Sequence, residues 1–62
     1  MKLATEKRII EKAVAKAAAA HVENDREEIA RLAARLADKK GVNVLAAPYL
    51  QEIFYEALDN HC

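Results

Sequence analysis

The 62-residue chain has one glycine, one proline, one cysteine, no tryptophan and no serine. Each scarcity excludes something. Glycine-rich phosphate loops and dinucleotide fingerprints need several glycines to bring backbone N–H groups against phosphate, and Gly41 stands alone. The same shortage disfavours tight β-hairpins. Cys62 has no second cysteine to pair with, so no intrachain disulfide replaces a core. A serine nucleophile is absent, and the only thiol sits at Cys62, where nothing holds it within the ~0.5 Å that a catalytic geometry demands. No apolar run approaches the roughly 20 residues that span a bilayer. Residues 1–8, MKLATEKR, carry charges where a signal peptide needs an apolar stretch. A soluble cytoplasmic protein is expected, with no catalytic residue, no cofactor and no metal site.

What is abundant is alanine, at 14 residues, against 15 Leu, Ile, Val and Phe combined. Alanine buries little area, and apolar burial is worth about 25 cal/mol per Å². Residues 1–62 therefore form one small domain with a thin core, of a kind often stabilised by self-association or by a partner.

The apolar spacing is helical. Leu3, Ile10, Val14, Ala17 and His21 fall on one face of a helix over residues 3–20, widened by Ile9, Ala13 and Ala20. The run Ala17-Ala18-Ala19-Ala20 favours helix and leaves room for another backbone to approach. Asp25 followed by Glu28 fits a capping box, with Asn24 as the alternative cap, so a second helix is expected over residues 26–40. Its apolar face is Ile29, Leu32, Ala33, Leu36 and Ala37, and Glu27 and Arg31 form an i, i+4 pair. Val22, Ile29 and Leu36 are also spaced by seven, which one uninterrupted helix would satisfy; a break near residues 22–25 is the favoured reading. Lys39-Lys40-Gly41 supplies basic residues in a last turn and a glycine for the αL cap position. Val42-Asn43-Val44-Leu45 reads as a short extended link that could pair with a copy of itself. Pro48 opens a third helix with the stripe Leu50, Ile53, Phe54, Ala57 and Leu58. The expected fold is all-α, three helices with a short extended link between the second and third.

The formal charge is zero, but all ten basic residues lie in positions 1–40 with seven acidic ones, and positions 41–62 hold only Glu52, Glu56 and Asp59. The halves are thus +3 and −3. Arg8, Lys12 and Lys16 share one face of the first helix; Arg31, Arg35 and Lys39 share one face of the second; Glu52, Glu56 and Asp59 form an acidic stripe on the third. The six basic residues are candidate contacts for nucleic acid or for a protein partner. Their ordinary role is a solvated face, or a face turned to the acidic helix of the same or another subunit. Zero net charge disfavours strong non-specific DNA binding, which depends on counterion release. No aromatic residue interleaves with the basic ones to stack bases.

Other residues with chemical potential are few. His21, His61 and Cys62 are metal ligands by type, but their spacing matches no zinc pattern. Tyr49 and Tyr55 read as core-edge or interface residues, and Glu52 and Glu56 as solvated charges. The packing set expected is Ile10, Val14, Ile29, Leu32, Leu36, Val44, Leu50, Ile53, Phe54 and Leu58.

Two families share parts of this pattern. The series Glu28-Ile29-Ala30, Ala33, Leu36-Ala37, Gly41, Leu45-Ala46-Ala47 and Leu50 resembles the second half of an archaeal-type histone fold over residues 28–58, and Arg8-Ile9-Ile10 resembles that family's first helix. The central helix would be shorter by about two turns of 3.6 residues. Archaeal histones place a basic, threonine-containing loop after the glycine, where this chain has Val42-Asn43-Val44. The resemblance therefore implies dimerisation by helix packing and loop pairing without the DNA-gripping loop. Arg26, Ile29, Ala33, Leu36, Ala37 and Gly41 also resemble the small C-terminal domain of the light-independent protochlorophyllide reductase B subunit; that family's early tryptophan and its Pro-aromatic-aromatic stretch are missing here. The function expected is a protein–protein interaction or dimerisation module with a histone-like fold, as a homodimer or with a protein partner. The alternatives are a nucleoid-type DNA binder using its basic stripes and an accessory domain of a larger redox enzyme.

Overall fold

The structure is a computed structural model that describes residues 2–20 and 25–61. It consists of three helices: α1 (Lys2–Ala20), α2 (Arg26–Lys39) and α3 (Pro48–His61). No strand occurs among the described residues. The helix α1 is central, packing against both α2 and α3, whereas α2 and α3 touch each other little.

Local chemistry explains the helix ends. Asp25 has an extended backbone (φ −89°, ψ 102°), and its side chain accepts hydrogen bonds from the Glu27 and Glu28 amides at 3.1 and 3.4 Å. These bonds satisfy two of the free N–H groups of a helix start, and Glu27 and Glu28 suit the positive end of the helix dipole. The non-helical Asp25 means that α2 begins afresh instead of continuing α1. Most of the expected break, residues 22–24, lies outside the described residues, as does Asn24.

At the other end of α2, the Val42 amide donates to the Ala37 carbonyl at 2.9 Å and the Gly41 amide to Asp38 at 3.0 Å. This is a Schellman arrangement, which needs a residue at positive φ, and Gly41 supplies it at φ 89°. Residues 42–43 have no regular structure, and residues 44–47 are turns and bends. Asn43 makes an Asx turn: its side-chain oxygen accepts the Leu45 amide at 3.0 Å, and its carbonyl accepts the Ala46 amide at 3.0 Å. This turn places Val42 and Val44 both in the core. Pro48 then occupies the first position of α3, where a missing N–H costs nothing.

The core comprises Ile10, Ala13, Val14 and Ala17 from α1, Ile29, Ala33 and Ala37 from α2, Val42 and Val44 from the link, and Leu50, Phe54, Ala57 and Leu58 from α3. Leu32, Leu36, Ile9 and Ile53 pack against it half-buried. The three buried residues of α2's face include two alanines, so α1 and α2 meet closely with little bulk between them. Among the described residues no polar or charged side chain is buried. An ion pair between Arg26 and Asp59 ties the start of α2 to the end of α3.

Candidate interaction groove

The two ends of α1's apolar face differ in cover. An α-helix rises about 1.5 Å per residue, so α1 is longer than either partner helix by about 7 Å. Ile10, Val14 and Ala17 are fully covered, but Leu3, on the same face near the N-terminus, is 54% exposed. Beside Leu3 runs the first half of α3, and the two helices form an open groove lined by Leu3, Glu6, Tyr49, Glu52, Ile53 and Glu56. Tyr49 and Ile53 are four residues apart on one flank of α3, where Ile53 packs against the edge of the core. Tyr49 remains 45% exposed and Ile53 half-buried.

The groove has an apolar floor and an acidic rim. Its three charged residues are all carboxylates. Glu6 accepts a hydrogen bond of 3.0 Å from the Tyr49 hydroxyl, a contact that links the starts of α1 and α3 across 43 positions. That bond pushes the Tyr49 phenol above its ordinary value, aided by partial desolvation and by the nearby Glu6 charge. Glu52 and Glu56 are exposed, with no ion pair or hydrogen bond from another described side chain. Two other large apolar residues, Leu45 (69%) and Tyr55 (49%), are exposed outside the groove.

The six basic candidates occupy other surfaces. Arg8, Lys12 and Lys16 are exposed, and the helical turn puts them opposite α1's buried face. Arg31, Arg35 and Lys39 are exposed on the outer side of α2. Arg31 and Arg35 line a shallow depression with Leu32 and Glu28, and Arg31 lies 3.8 Å from the Glu28 carboxylate. The third-helix stripe divides: Glu52 and Glu56 edge the groove, while Asp59 pairs with Arg26.

His21 and Cys62 lie outside the described residues, as does the His61 side chain. Among the described residues, no group of three His, Cys, Asp or Glu side chains is arranged to hold a metal ion. No described helix is long and apolar enough to cross a membrane. No protein-family model, curated protein or solved structure matches this chain.

The spacing assigns Leu3 to the core stripe and Tyr49 to a core edge or interface, but does not join Leu3, Glu6 and Tyr49 into one surface. No local signal joins them, because they come from two helices that only the fold sets side by side.

Proposed function

We propose that this chain is a small protein-interaction module, without catalysis of its own, whose binding surface is the groove between the start of α1 and the first half of α3. The observation that carries this reading is Leu3: an apolar residue in register with the core stripe, beside Tyr49 and Ile53, and left uncovered. An apolar floor with a carboxylate rim suits a basic amphipathic helix, which buries its apolar side and sets its cations on the rim. The resemblance to a histone-like fold, a family that dimerises by helix packing, agrees with an interaction role.

The test is an amide-resolved NMR titration of the protein with a synthetic Lys/Leu amphipathic helical peptide, and in parallel with duplex DNA at low salt. The peptide is expected to shift Leu3, Glu6, Tyr49 and Ile53. Shifts produced only by DNA, at Arg8, Lys12 and Lys16 of the exposed basic stripe, would replace this reading with the nucleoid-type one.

A further inference from the structure

We infer that the occupant of the groove is α2 of a second copy of this chain. This inference rests on the interaction-module reading and names its partner. Three observations converge. First, α2 carries a matching surface: Leu32 and Leu36 are half-buried, four residues apart, on the flank of α2 next to Arg35 and Lys39. Tyr49 and Ile53 have the same four-residue spacing on α3, and ridges of that period interdigitate when helices pack.

Second, the charges are complementary. Arg31, Arg35 and Lys39 border the leucine pair, and the one carboxylate among them, Glu28, is already next to Arg31 at 3.8 Å. Glu52 and Glu56 border the Tyr49–Ile53 pair without a cationic partner among the described residues. Third, this complementarity is not consumed within one chain. The helices α2 and α3 touch little, and among the described residues the Arg26–Asp59 pair is the single ion pair between them.

The groove and the basic ridge share no residue, so in this contact the groove of one copy meets the ridge of the other, in an isologous pair if a two-fold axis relates them and head-to-tail otherwise. Two copies related by a two-fold axis satisfy it twice, whereas any other rotation extends it into a ring or a chain. The surfaces are small, which places the contact among weak, concentration-dependent associations. It also weakens with salt, because the paired charges stand at an exposed rim.

Sedimentation equilibrium on three full-length proteins tests this: wild type, Glu52→Lys/Glu56→Lys, and Arg31→Glu/Arg35→Glu. All four positions are exposed, and circular dichroism checks that the helices persist. Wild type is expected to gain mass with concentration over about 10 to 500 µM, and each reversed protein to lose affinity by about a hundredfold. Mixed one to one, the two reversed proteins are expected to form a complex, since the intact ridge of one meets the intact groove of the other. A second pair, Glu52→Gln/Glu56→Gln and Arg31→Gln/Arg35→Gln, is expected to weaken association less and to gain less on mixing, since there is no repulsion to relieve and only one charged contact is restored. Wild type that stays monomeric, reversed proteins that associate as wild type does, or a mixture of them that stays monomeric would each overturn the inference. If the Lys/Leu peptide still shifts the groove residues in that event, the interaction-module reading survives with a different basic helix as partner.

Discussion

Ile10 and Leu3 lie seven residues apart on one face of α1, yet Ile10 is fully buried and Leu3 is 54% exposed. Both are aliphatic, both belong to the same 3.6-residue stripe, and they differ only in what lies opposite. Ile10 lies within the core that α1 forms with α2 and α3. Leu3 lines the open groove with the first half of α3 and keeps more than half of its surface. The middle of α1 is therefore a stability element, whereas at Leu3 the same face stays open along the groove. A continuous apolar stripe tells which side of a helix is buried, and the lengths of its neighbours tell where along the helix burial stops.

This contrast is sharpest in truncation. Ile10→Ala is expected to cost about 2–5 kcal/mol by urea unfolding, because α1 is clamped from two sides and the site collapses poorly. Leu3→Ala is expected to stay within about 0.5 kcal/mol in dilute solution. Equal losses at the two positions would break the comparison.

The next effect comes from the ends of α2, which hold its face of Ile29, Ala33 and Ala37 in the core. Gly41→Ala is expected to cost about 1–2 kcal/mol, because φ of 89° is strained for a residue with a Cβ. A Cβ there meets no atom within 4 Å, so the loss is conformational and not steric. Gly41→Asn, which tolerates the left-handed region better, should recover part of it.

Asp25→Ala removes the carboxylate oxygen that accepts both the Glu27 and the Glu28 amide at the start of α2 and is expected to cost about 1 kcal/mol. Hydrogen exchange gives the finer readout: the first turn of α2 opens more, while protection near Leu3 is unchanged.

The smallest effect is at the uncovered end. Tyr49 holds its proton beyond the ordinary value of 10.0 because it donates to Glu6. A raised folded-state value means that the folded protein binds more protons than the unfolded one above that pH. The Tyr49–Glu6 contribution is thus complete below pH 10.0 and is lost as pH rises through the folded-state value. In a Tyr55→Phe background, absorbance of tyrosinate should show Tyr49 titrating at lower pH once Glu6→Ala is introduced. An unmoved midpoint would mean that the hydrogen bond does not persist in solution.

Much of this fold was legible because helix boundaries are local chemistry. Asp25 before Glu27 and Glu28, Lys39-Lys40-Gly41, and Pro48 each act within a turn of their own position. Accordingly α2 begins and ends, and α3 begins, within a residue of where those signals put them, whereas α3 runs on to His61, past the fraying expected from Asp59 onward. The link was less legible. Alternation at Val42-Asn43-Val44 suggests an extended segment, but Asn43 turns the chain with its own side chain and buries both valines. The groove was legible only in pieces. Leu3, Glu6, Tyr49 and Ile53 come from two helices brought side by side, and no local pattern encodes how far one helix overhangs another. The charge split was visible from the start, but not that Asp59 is taken by Arg26 while Glu52 and Glu56 stand free of ion pairs among the described residues.

The central claim is that the uncovered end of α1 is an interaction surface of the module. Methyl-resolved NMR of the wild-type protein during dilution tests it most directly. The account predicts that the methyls of Leu3 and Ile53, together with those of Leu32 and Leu36, shift with concentration, while those of Ile10 and Leu58 stay fixed. Leu3 and Ile53 methyls that do not move at any concentration, and do not move with the basic helical peptide either, would contradict it.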